Sequence, residues 1–336
     1  MDITRRHMLA GATVSAFAAA VSSPAYAAWE ENARYPDPRV EVLDPSFNRY
    51  RVNNASVERL YTGARWSEGP VWMGDWRCLL WSDIPNNRIL RWDEASGRVS
   101  VYRQPSNNSN GHARDAEGRL VSCEHNTKRV TRTEHDGTIT VLADQFEGKP
   151  FNSPNDVVVR KSDGTIWFSD PAAAGPDPNE GRTPTPGLPT NYYRFDPKTK
   201  QLTVAASGLR PNGLAFSLDE KTIFLADNEP TPRVIRAYDV MDDGKLTNGR
   251  VAVTGEGATI FDGFKCDAHG NFWCGNGGGE NNDGVAVFNP QSKKIAKILL
   301  PERCANLCFG GVRKNRLFMA ASHSIYSLFT NTQGAV

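Results

Sequence analysis

Cysteine and histidine are scarce in this sequence, and neither is clustered. The 336 residues include six cysteines and six histidines, and no two cysteines have the Cys-x-x-Cys spacing typical of structural zinc sites. Six cysteines in a chain of this length do not make a disulfide scaffold. Cys304 with Cys308, or Cys266 with Cys274, could pair, but small buried side chains are the ordinary alternative for all six. A zinc site built from sulfur and nitrogen ligands is therefore not expected.

Other absences narrow the class of function. The Gly-x-Ser-x-Gly motif of many serine hydrolases does not occur, which argues against nucleophilic catalysis of that kind. The glycine-rich stretch at 276–281 lacks the strand-to-helix setting of a phosphate-binding loop, and we interpret it as a flexible loop. The formal net charge is only +1, so nothing indicates a nucleic-acid partner. Amphipathic helical windows are nearly absent as well.

The first 27 residues have the features of an export signal. Paired arginines at positions 5–6 precede an uncharged run at 8–26, and Ala-Tyr-Ala at 25–27 resembles a cleavage site. The run is rich in Ala, Ser, Gly and Thr, which gain little in hydrocarbon, so a cleaved signal is favoured over a membrane anchor. We expect residues 1–27 to be a signal for the twin-arginine export machinery. The mature protein would be periplasmic and free of the membrane.

The sequence pattern of the rest of the chain predicts an all-β fold. Short runs of Val, Ile, Phe, Tyr and Trp alternate with turn sequences such as EHDGT and KSDGT. A polar residue followed by an apolar strand recurs at Glu68, Asn110, Asn155, Asn212, Asp262 and Asn306. These starts are 42, 45, 57, 50 and 44 residues apart, which is the period of a four-stranded propeller blade. The sequence therefore predicts a six-bladed β-propeller around a central channel.

We assign residues 28–58 to an N-terminal extension and residues 59–336 to the propeller. The longest interval between blade starts contains a proline-rich segment at 171–190, which is too rich in proline for a helix or strand. The segment follows the second strand of its blade, on the face of the propeller where the first strands begin. This placement favours a lid over that mouth of the channel, and a solvated surface loop is the alternative.

The blade starts predict a metal site. The first strand of each propeller blade lines the channel, so a residue directly before it lies at one mouth, on the axis. Glu68, Asn155, Asn212 and Asp262 should converge there as oxygen donors. Such a set suits one hard divalent cation, and Ca²⁺ tolerates irregular geometry better than Mg²⁺. Zn²⁺, Mn²⁺ and Mg²⁺ remain alternatives, and a simple Ser-Pro-Asn-Asp turn is the ordinary alternative around Asn155.

Second strands return to the same mouth, and their ends carry further polar side chains. These are Asp83, His125, Asp170, Asp227 and Asn276. Each could support the metal ligands or contact a substrate, but turn formation is the more ordinary role for each.

Several of these stretches together resemble a known family. SEGPVW, CEHNTKRVTR, EGKPFNSPNDVVV, DGTIWFSDP, RPNGLAFS and DGFKCDAHGNFW occur in this order from about Arg59 onwards. They are similar to the bacterial gluconolactonase branch of the family named for gluconolactonase, senescence marker protein and luciferin-regenerating enzyme. The resemblance implies a six-bladed propeller with one catalytic divalent cation and a lactone substrate.

The resemblance also assigns residues, and it shows two departures. Family ligands correspond to Glu68, Asn212 and Asp262, while Asn155 corresponds to a ligand of related lactonases. Phe261 stands where the family has proline before Asp-Gly. Asn110 matches a substrate-binding asparagine, but Asn108 stands where a substrate-binding arginine would be. The identity of the sugar is therefore not implied.

The expected chemistry is hydrolysis of a sugar lactone such as gluconolactone. A cation would stabilise the oxyanion that forms as water adds to the carbonyl. Family reasoning makes Asp262 the general base; if Asp262 is only a ligand, His125 becomes the candidate base, and it is otherwise a substrate contact. A calcium-stabilised binding propeller without turnover, and another ester or phosphotriester hydrolase on the same scaffold, are the rival functions.

Overall fold

The computed structural model describes residues 29–172, 176–183, 185, 187–257 and 259–335. All strands lie in one compact unit that begins at Glu31. Six antiparallel sheets of successive strands form a six-bladed β-propeller, which confirms the predicted fold class. Within the described residues the only helical segments are two short 3₁₀ helices, Pro45–Arg49 and Gly74–Trp76.

The strands of the N-terminal segment and of the first three blades follow the chain in order. Before the first blade come β1 (Val40–Val42) and β2 (Glu58–Thr62). Blade one contains β3 (Ser67–Met73), β4 (Cys78–Asp83), β5 (Arg88–Asp93) and β6 (Val99–Arg103). Blade two contains β7 (Ser109–Arg114), β8 (Leu120–Glu124), β9 (Arg129–Thr133) and β10 (Ile139–Ala143), followed by a small hairpin of β11 (Gln145–Phe146) and β12 (Lys149–Pro150). Blade three contains β13 (Val157–Val159), β14 (Ile166–Asp170), β15 (Asn191–Asp196) and β16 (Gln201–Ser207).

The last three blades complete the ring. Blade four contains β17 (Leu214–Phe216), β18 (Thr222–Asp227), β19 (Val234–Val240) and β20 (Leu246–Thr254). Blade five contains β21 (Phe264–Cys266), β22 (Phe272–Asn276), β23 (Gly284–Phe288) and β24 (Lys294–Leu299). Blade six contains β25 (Cys304–Gly310), β26 (Arg316–Ala321) and β27 (Ser324–Phe329).

The N-terminal segment closes the propeller. Strand β2 pairs antiparallel with β27 and supplies the outer strand of blade six, so this blade combines both ends of the described chain. Strand β1, which lies in the predicted extension 28–58, pairs with β24 as a fifth strand of blade five. The chain thus covers two outer edges that would otherwise expose unpaired backbone groups.

Apolar side chains fill the space between neighbouring blades. One core cluster joins β8 and β9 of blade two to β13 and β14 of blade three, and includes Phe151 and Phe168. Trp81, Trp167 and Trp273 are fully buried on the second strands of alternate blades. Because inner strands are buried and the outermost strands carry exposed residues such as Val101 and Val251, burial falls from the axis to the rim.

Three expectations concern features away from the channel. The predicted signal, residues 1–27, lies outside the described residues, and periplasmic location stays a prediction. Among the described residues, no helix has the length and apolar character needed to cross a membrane. All six cysteines are buried free thiols, so neither of the two possible disulfides forms.

Candidate active site

Four of the six blade starts are followed by a glycine that lies against the neighbouring blade. Gly69, Gly111, Gly213 and Gly263 each follow a blade-start residue, and in each case a side chain would collide with the neighbouring blade start. At Gly69, which has a φ of +54°, a Cβ would lie 2.0 Å from the carbonyl oxygen of Asn110. At Gly263 a Cβ would lie 2.0 Å from the side chain of Asn306. Only glycine lets the blade starts approach this closely. We call the six blade-start residues the entrance ring.

Backbone hydrogen bonds tie the entrance ring together. The amide of Gly111 donates to the carbonyl of Asn155 at 2.8 Å, and the amide of Gly213 donates to the carbonyl of Asp262 at 3.2 Å. Across the channel, Asn306 Nδ2 lies 3.5 Å from Asp156 Oδ2, which joins blade six to blade three. The ring is therefore held by contacts between blades and is a fixed platform for polar side chains.

Glu68 and Asp262 are buried near each other without enough positive charge to compensate both. Glu68 is only 3% exposed, and its Oε2 accepts a hydrogen bond from the amide of Gly69 at 2.7 Å. Burial, and next the negative charge of Asp262, raise the pKa of Glu68 well above its usual value. A buried pair of like charges is costly unless a cation neutralises it.

Asp262 has a cationic neighbour that Glu68 lacks. Arg303 Nη2 donates to Asp262 Oδ2 at 2.8 Å, and the side chain of Asn212 also hydrogen-bonds to this carboxylate. Burial raises the pKa of Asp262, while Arg303 and Arg182 act in the opposite direction. Asp262 therefore has a fixed orientation and a raised proton affinity.

The predicted metal ligands differ in whether their side chains form hydrogen bonds within the protein. Asn212 is bonded to Asp262, as described above. Asn155 is 5% exposed, and its backbone amide donates to the carbonyl of Ser169 at 2.9 Å, but its side chain has no hydrogen bond with any described residue. A buried amide without a protein partner is free to coordinate a cation.

The donor set fits a hard divalent cation. Glu68, Asn155, Asn212 and Asp262 offer only oxygen for coordination once the amides present their carbonyls. No three His, Cys, Asp or Glu side chains of the described residues group as a metal site, so the amides of Asn155 and Asn212 would have to contribute beside the two carboxylates. Two carboxylates balance one divalent ion, which would also remove the repulsion between Glu68 and Asp262.

Acids at the ends of second strands hold the loops that enter the first strands. Asp170, at the end of β14, accepts from the amides of Asn152 and Ser153 at 2.9 and 2.7 Å. Asp83 accepts from the amide of Arg65 at 2.9 Å in the same way. Burial raises the pKa of Asp170 to about 7. The polar NSPND sequence before β13 thus combines a loop anchored by Asp170 with the entrance-ring residue Asn155.

His125 lies beside Asn110 and under the proline-rich segment. Its Nδ1 donates to the carbonyl of Glu180 at 3.0 Å, because a carbonyl can only accept, and its Nε2 then accepts from Asn110 Nδ2 at 3.2 Å. Burial, and next the charge of Arg182, lower the pKa of His125 to about 3. The imidazole is therefore neutral with both nitrogens engaged, which disfavours it as the general base and suits a contact that orients Asn110.

A second buried histidine supports the strand that carries Asn110. His112 Nε2 and Nδ1 each lie 2.8 Å from a serine hydroxyl, of Ser82 and Ser122 respectively. Ser82 Oγ donates to the carbonyl of Asn110 at 2.8 Å. Burial lowers the pKa of His112 to about 3, so this histidine is a neutral part of the scaffold.

The proline-rich segment 171–190 has an anchored part and an outer part. Leu188 is buried in the core between blades two and three, and Thr185 Oγ1 donates to the carbonyl of Phe151 at 2.7 Å. The outer part carries Arg182, which is paired with Glu180 at 2.6 Å and acts electrostatically on Asp262. The outer part therefore lies at the candidate site, on the face where the lid is predicted.

Four polar residues at this mouth were not among the predicted site residues. Asp156 and Asn306 belong to blade starts, and the polar-before-strand pattern marks both positions. Arg303 lies in a loop between two blades and Arg182 lies in the proline-rich segment, and no repeat marks either position. Gly181 of the proline-rich segment packs against Asn108, two residues before Asn110 of the entrance ring: a Cβ on Gly181 would lie 2.7 Å from Asn108 Oδ1.

Comparisons with known proteins agree on one family. The family described as "SMP-30/Gluconolactonase/LRE-like region" matches residues 66–323. A gluconolactonase of Zymomonas mobilis is 27% identical over 319 residues, covering 88% of this chain and 87% of that protein. A pentonolactonase of Haloferax volcanii is 23% identical over 267 residues, covering 78% and 83% respectively. The solved structure of a gluconolactonase from Xanthomonas campestris is 34% identical with a TM-score of 0.79, covering 87% of this chain and 94% of that chain.

Proposed function

Because the chain belongs to the SMP-30/gluconolactonase/LRE-like family, we propose that it hydrolyses a sugar lactone, such as gluconolactone, to the aldonic acid at the entrance ring. The observation that carries this proposal is the pair of buried, mutually repelling carboxylates of Glu68 and Asp262 beside the unpartnered amide of Asn155. Similar proteins are named for lactones of different sugars, which supports the lactone class and leaves the sugar open.

Glu68, Asn155, Asn212 and Asp262 would hold one divalent cation, and we propose Ca²⁺. When bound, such an ion supplies positive charge that stabilises the negative charge developing on the lactone carbonyl oxygen. The oxygen-only donor set and its irregular mixture of carboxylates and amides support calcium over zinc.

The protein's own residues supply the proton transfer. Asp262 would accept a proton from the water that attacks the lactone carbonyl. Arg303 holds one oxygen of Asp262 at 2.8 Å, so the carboxylate cannot rotate freely.

Asn110 is the proposed substrate contact, and His125, the other predicted substrate-binding residue, positions it. Asn110 lies on the entrance ring, and the neutral imidazole of His125 holds its amide through the 3.2 Å contact. The amide can present hydrogen-bonding groups to substrate hydroxyls while the imidazole fixes its orientation. Arg182 of the lid segment adds a cation to the same mouth.

A lactone panel with and without chelator tests the function. The purified protein should release acid from at least one aldonolactone, and removal of divalent ions should lower the rate at least ~10-fold, because Lewis-acid stabilisation is worth several kcal/mol. Added Ca²⁺ should restore the rate. The measurement is proton release at constant pH across gluconolactone, pentonolactones, an aryl ester and a phosphotriester.

The same panel separates the rival functions. Calcium-dependent thermal stabilisation without hydrolysis of any compound would identify a binding propeller, while turnover only of the aryl ester or the phosphotriester would identify another hydrolase. Either result would overturn the lactonase proposal.

The lid segment should control substrate choice. Replacing residues 176–182 with two glycines removes Arg182 and keeps Leu188 and Thr185, which anchor the rest of the segment. We expect the ratio of kcat/KM between two lactones to change by about tenfold, a size typical of altered pocket contacts. The melting temperature should change little because the removed part is outside the core.

Leu188→Ala is the matched control for the lid prediction. It leaves the outer part of the segment intact and deletes a buried side chain, so it should lower stability by ~2–5 kcal/mol with the lactone preference unchanged. If instead the two-glycine variant unfolds and keeps the parent's preference, the outer part of the segment is structural.

A further inference from the structure

A cavity lies along the channel and extends from the entrance ring towards the C-terminal ends of the first strands. Its volume is about 540 Å³, within the range of small-molecule sites. The first strands of all six blades line it with side chains near their C-terminal ends, namely Trp72, Ala113, Val159, Phe216, Cys266 and Phe309. These walls are mostly apolar, in contrast to the carboxylates and amides at the other mouth.

The rim of this cavity is strongly cationic. Its charged lining residues are Arg77, Arg114, Lys161, Lys265 and Lys314, against the single acid Asp75. The charged lining therefore carries a clear excess of positive charge, while the entrance ring carries an excess of carboxylates.

Three of the five cations have acidic neighbours. Arg114 is paired with Asp75. Arg77 is paired with Glu94 at 2.9 Å, and Lys265 Nζ lies 3.9 Å from Asp156 Oδ2, inside the channel. The lysines at positions 161 and 314 remain without such a partner.

Lys161 and Lys314 both line the cavity. Within the described part of the chain, neither ammonium group forms an ion pair with an acidic side chain. Glu220, the nearest acid to Lys161, is engaged by backbone: its carboxylate accepts from the amides of Lys161 and Ser162 at 2.7 and 2.9 Å. Partial burial lowers the pKa of Lys161, the charge of Lys314 lowers it further, and the charge of Glu220 acts in the opposite direction.

We propose that this cavity binds an organic anion, with its charged group at Lys161 and Lys314 and its apolar body against Trp72 and Phe309. The paired ammonium groups attract a carboxylate, sulfonate or phosphate. An inorganic anion would leave the apolar walls in contact with water, whereas an aliphatic or aromatic body would bury them. None of the proposed cation ligands lines this cavity, so the site is distinct from the one proposed for lactone hydrolysis.

Binding of 8-anilinonaphthalene-1-sulfonate and of octanoate tests the proposal. The folded protein should enhance the fluorescence of the sulfonate and quench Trp72 by energy transfer, and octanoate should displace the sulfonate. Octanol, which has the same apolar body without the charge, should displace it at least ~10-fold less effectively. Higher salt should weaken octanoate binding, since the lysines are at an open rim.

A second test removes the positive charges of Lys161 and Lys314. Lys161→Gln/Lys314→Gln should raise the Kd for octanoate at least ~10-fold and leave lactone hydrolysis unchanged. Both lysines are exposed, so the variant should fold. Lys198→Gln/Lys221→Gln removes the same charge from exposed turns that do not line the cavity and should bind octanoate like the parent. Three results would overturn the proposal, whatever the lactone panel gives. They are equal binding of octanol and octanoate, parental affinity for octanoate in Lys161→Gln/Lys314→Gln, and no binding of the sulfonate at all.

Discussion

Glu68→Gln should lose most lactone hydrolysis and, in chelator, melt at a higher temperature than the parent. The two effects have one cause. Removing a carboxylate weakens the attraction for a divalent cation, whose contribution of several kcal/mol corresponds to ~10³-fold in kcat/KM. The same change removes a buried negative charge next to Asp262, which is a cost when no cation is present.

The stability effect should depend on pH in a defined direction. Burial and Asp262 raise the pKa of Glu68 above the usual value of 4.5, so the folded state holds its proton more tightly than the unfolded state does. The contribution of Glu68 to the stability of the chelated parent is therefore fully present below pH 4.5 and is lost as pH rises through the folded-state pKa. The glutamine variant lacks this loss. In chelator, the melting temperature of Glu68→Gln should equal that of the parent near pH 4 and exceed it by at least ~2 °C at pH 8.

Glu124→Gln is the matched control for the stability effect. Glu124 is also fully buried, but it pairs with Arg103 at 3.0 Å and Arg129 at 2.7 Å. Its neutralisation leaves two arginines short of a partner and should lower the melting temperature at pH 8. If chelated Glu68→Gln melts at or below the parent at pH 8, repulsion within the entrance ring does not limit stability.

The fold could be predicted because its signal repeats. A polar residue followed by an apolar strand occurs at all six blade starts, and the interval between them matches a four-stranded blade. Strands β1 and β2 could not be placed in this way, because each joins a sheet formed by residues more than 200 positions away. Pairing between distant parts of the chain leaves no local pattern in either segment.

The repeat also predicted the candidate site, but only for residues that occupy repeat positions. Asp262 and Glu68 occupy repeat positions, so propeller geometry places them at one mouth. Arg303, which fixes Asp262, lies in a connecting loop whose conformation depends on contacts that no repeat specifies. The cavity at the C-terminal ends of the first strands could not be predicted, because Lys161 and Lys314 follow their strands singly, in turns of different length.

Asp262→Asn should lower kcat by ~10²–10⁴-fold at saturating Ca²⁺, the size expected for loss of a general base. Asparagine keeps an oxygen that can bind a cation and that can accept from Arg303, so cation affinity should fall while the site can still be filled. It cannot accept a proton from water at neutral pH. The measurement is kcat on the preferred lactone over a calcium titration, with calcium binding followed independently by calorimetry to show that the site is full.

The calcium titration separates the two roles of Asp262. If the residue is only a ligand, Asp262→Asn needs more calcium but recovers a kcat within about threefold of the parent, well short of the ~10²-fold minimum for a lost base. Asp283→Asn is the control: Asp283 is half-buried, accepts from the amides of Gly278 and Gly279 in a loop following β22, and keeps an acceptor as asparagine. Its kcat should match the parent's. Full recovery in Asp262→Asn would remove Asp262 from proton transfer, and the low pKa of His125 would still disfavour an imidazole base.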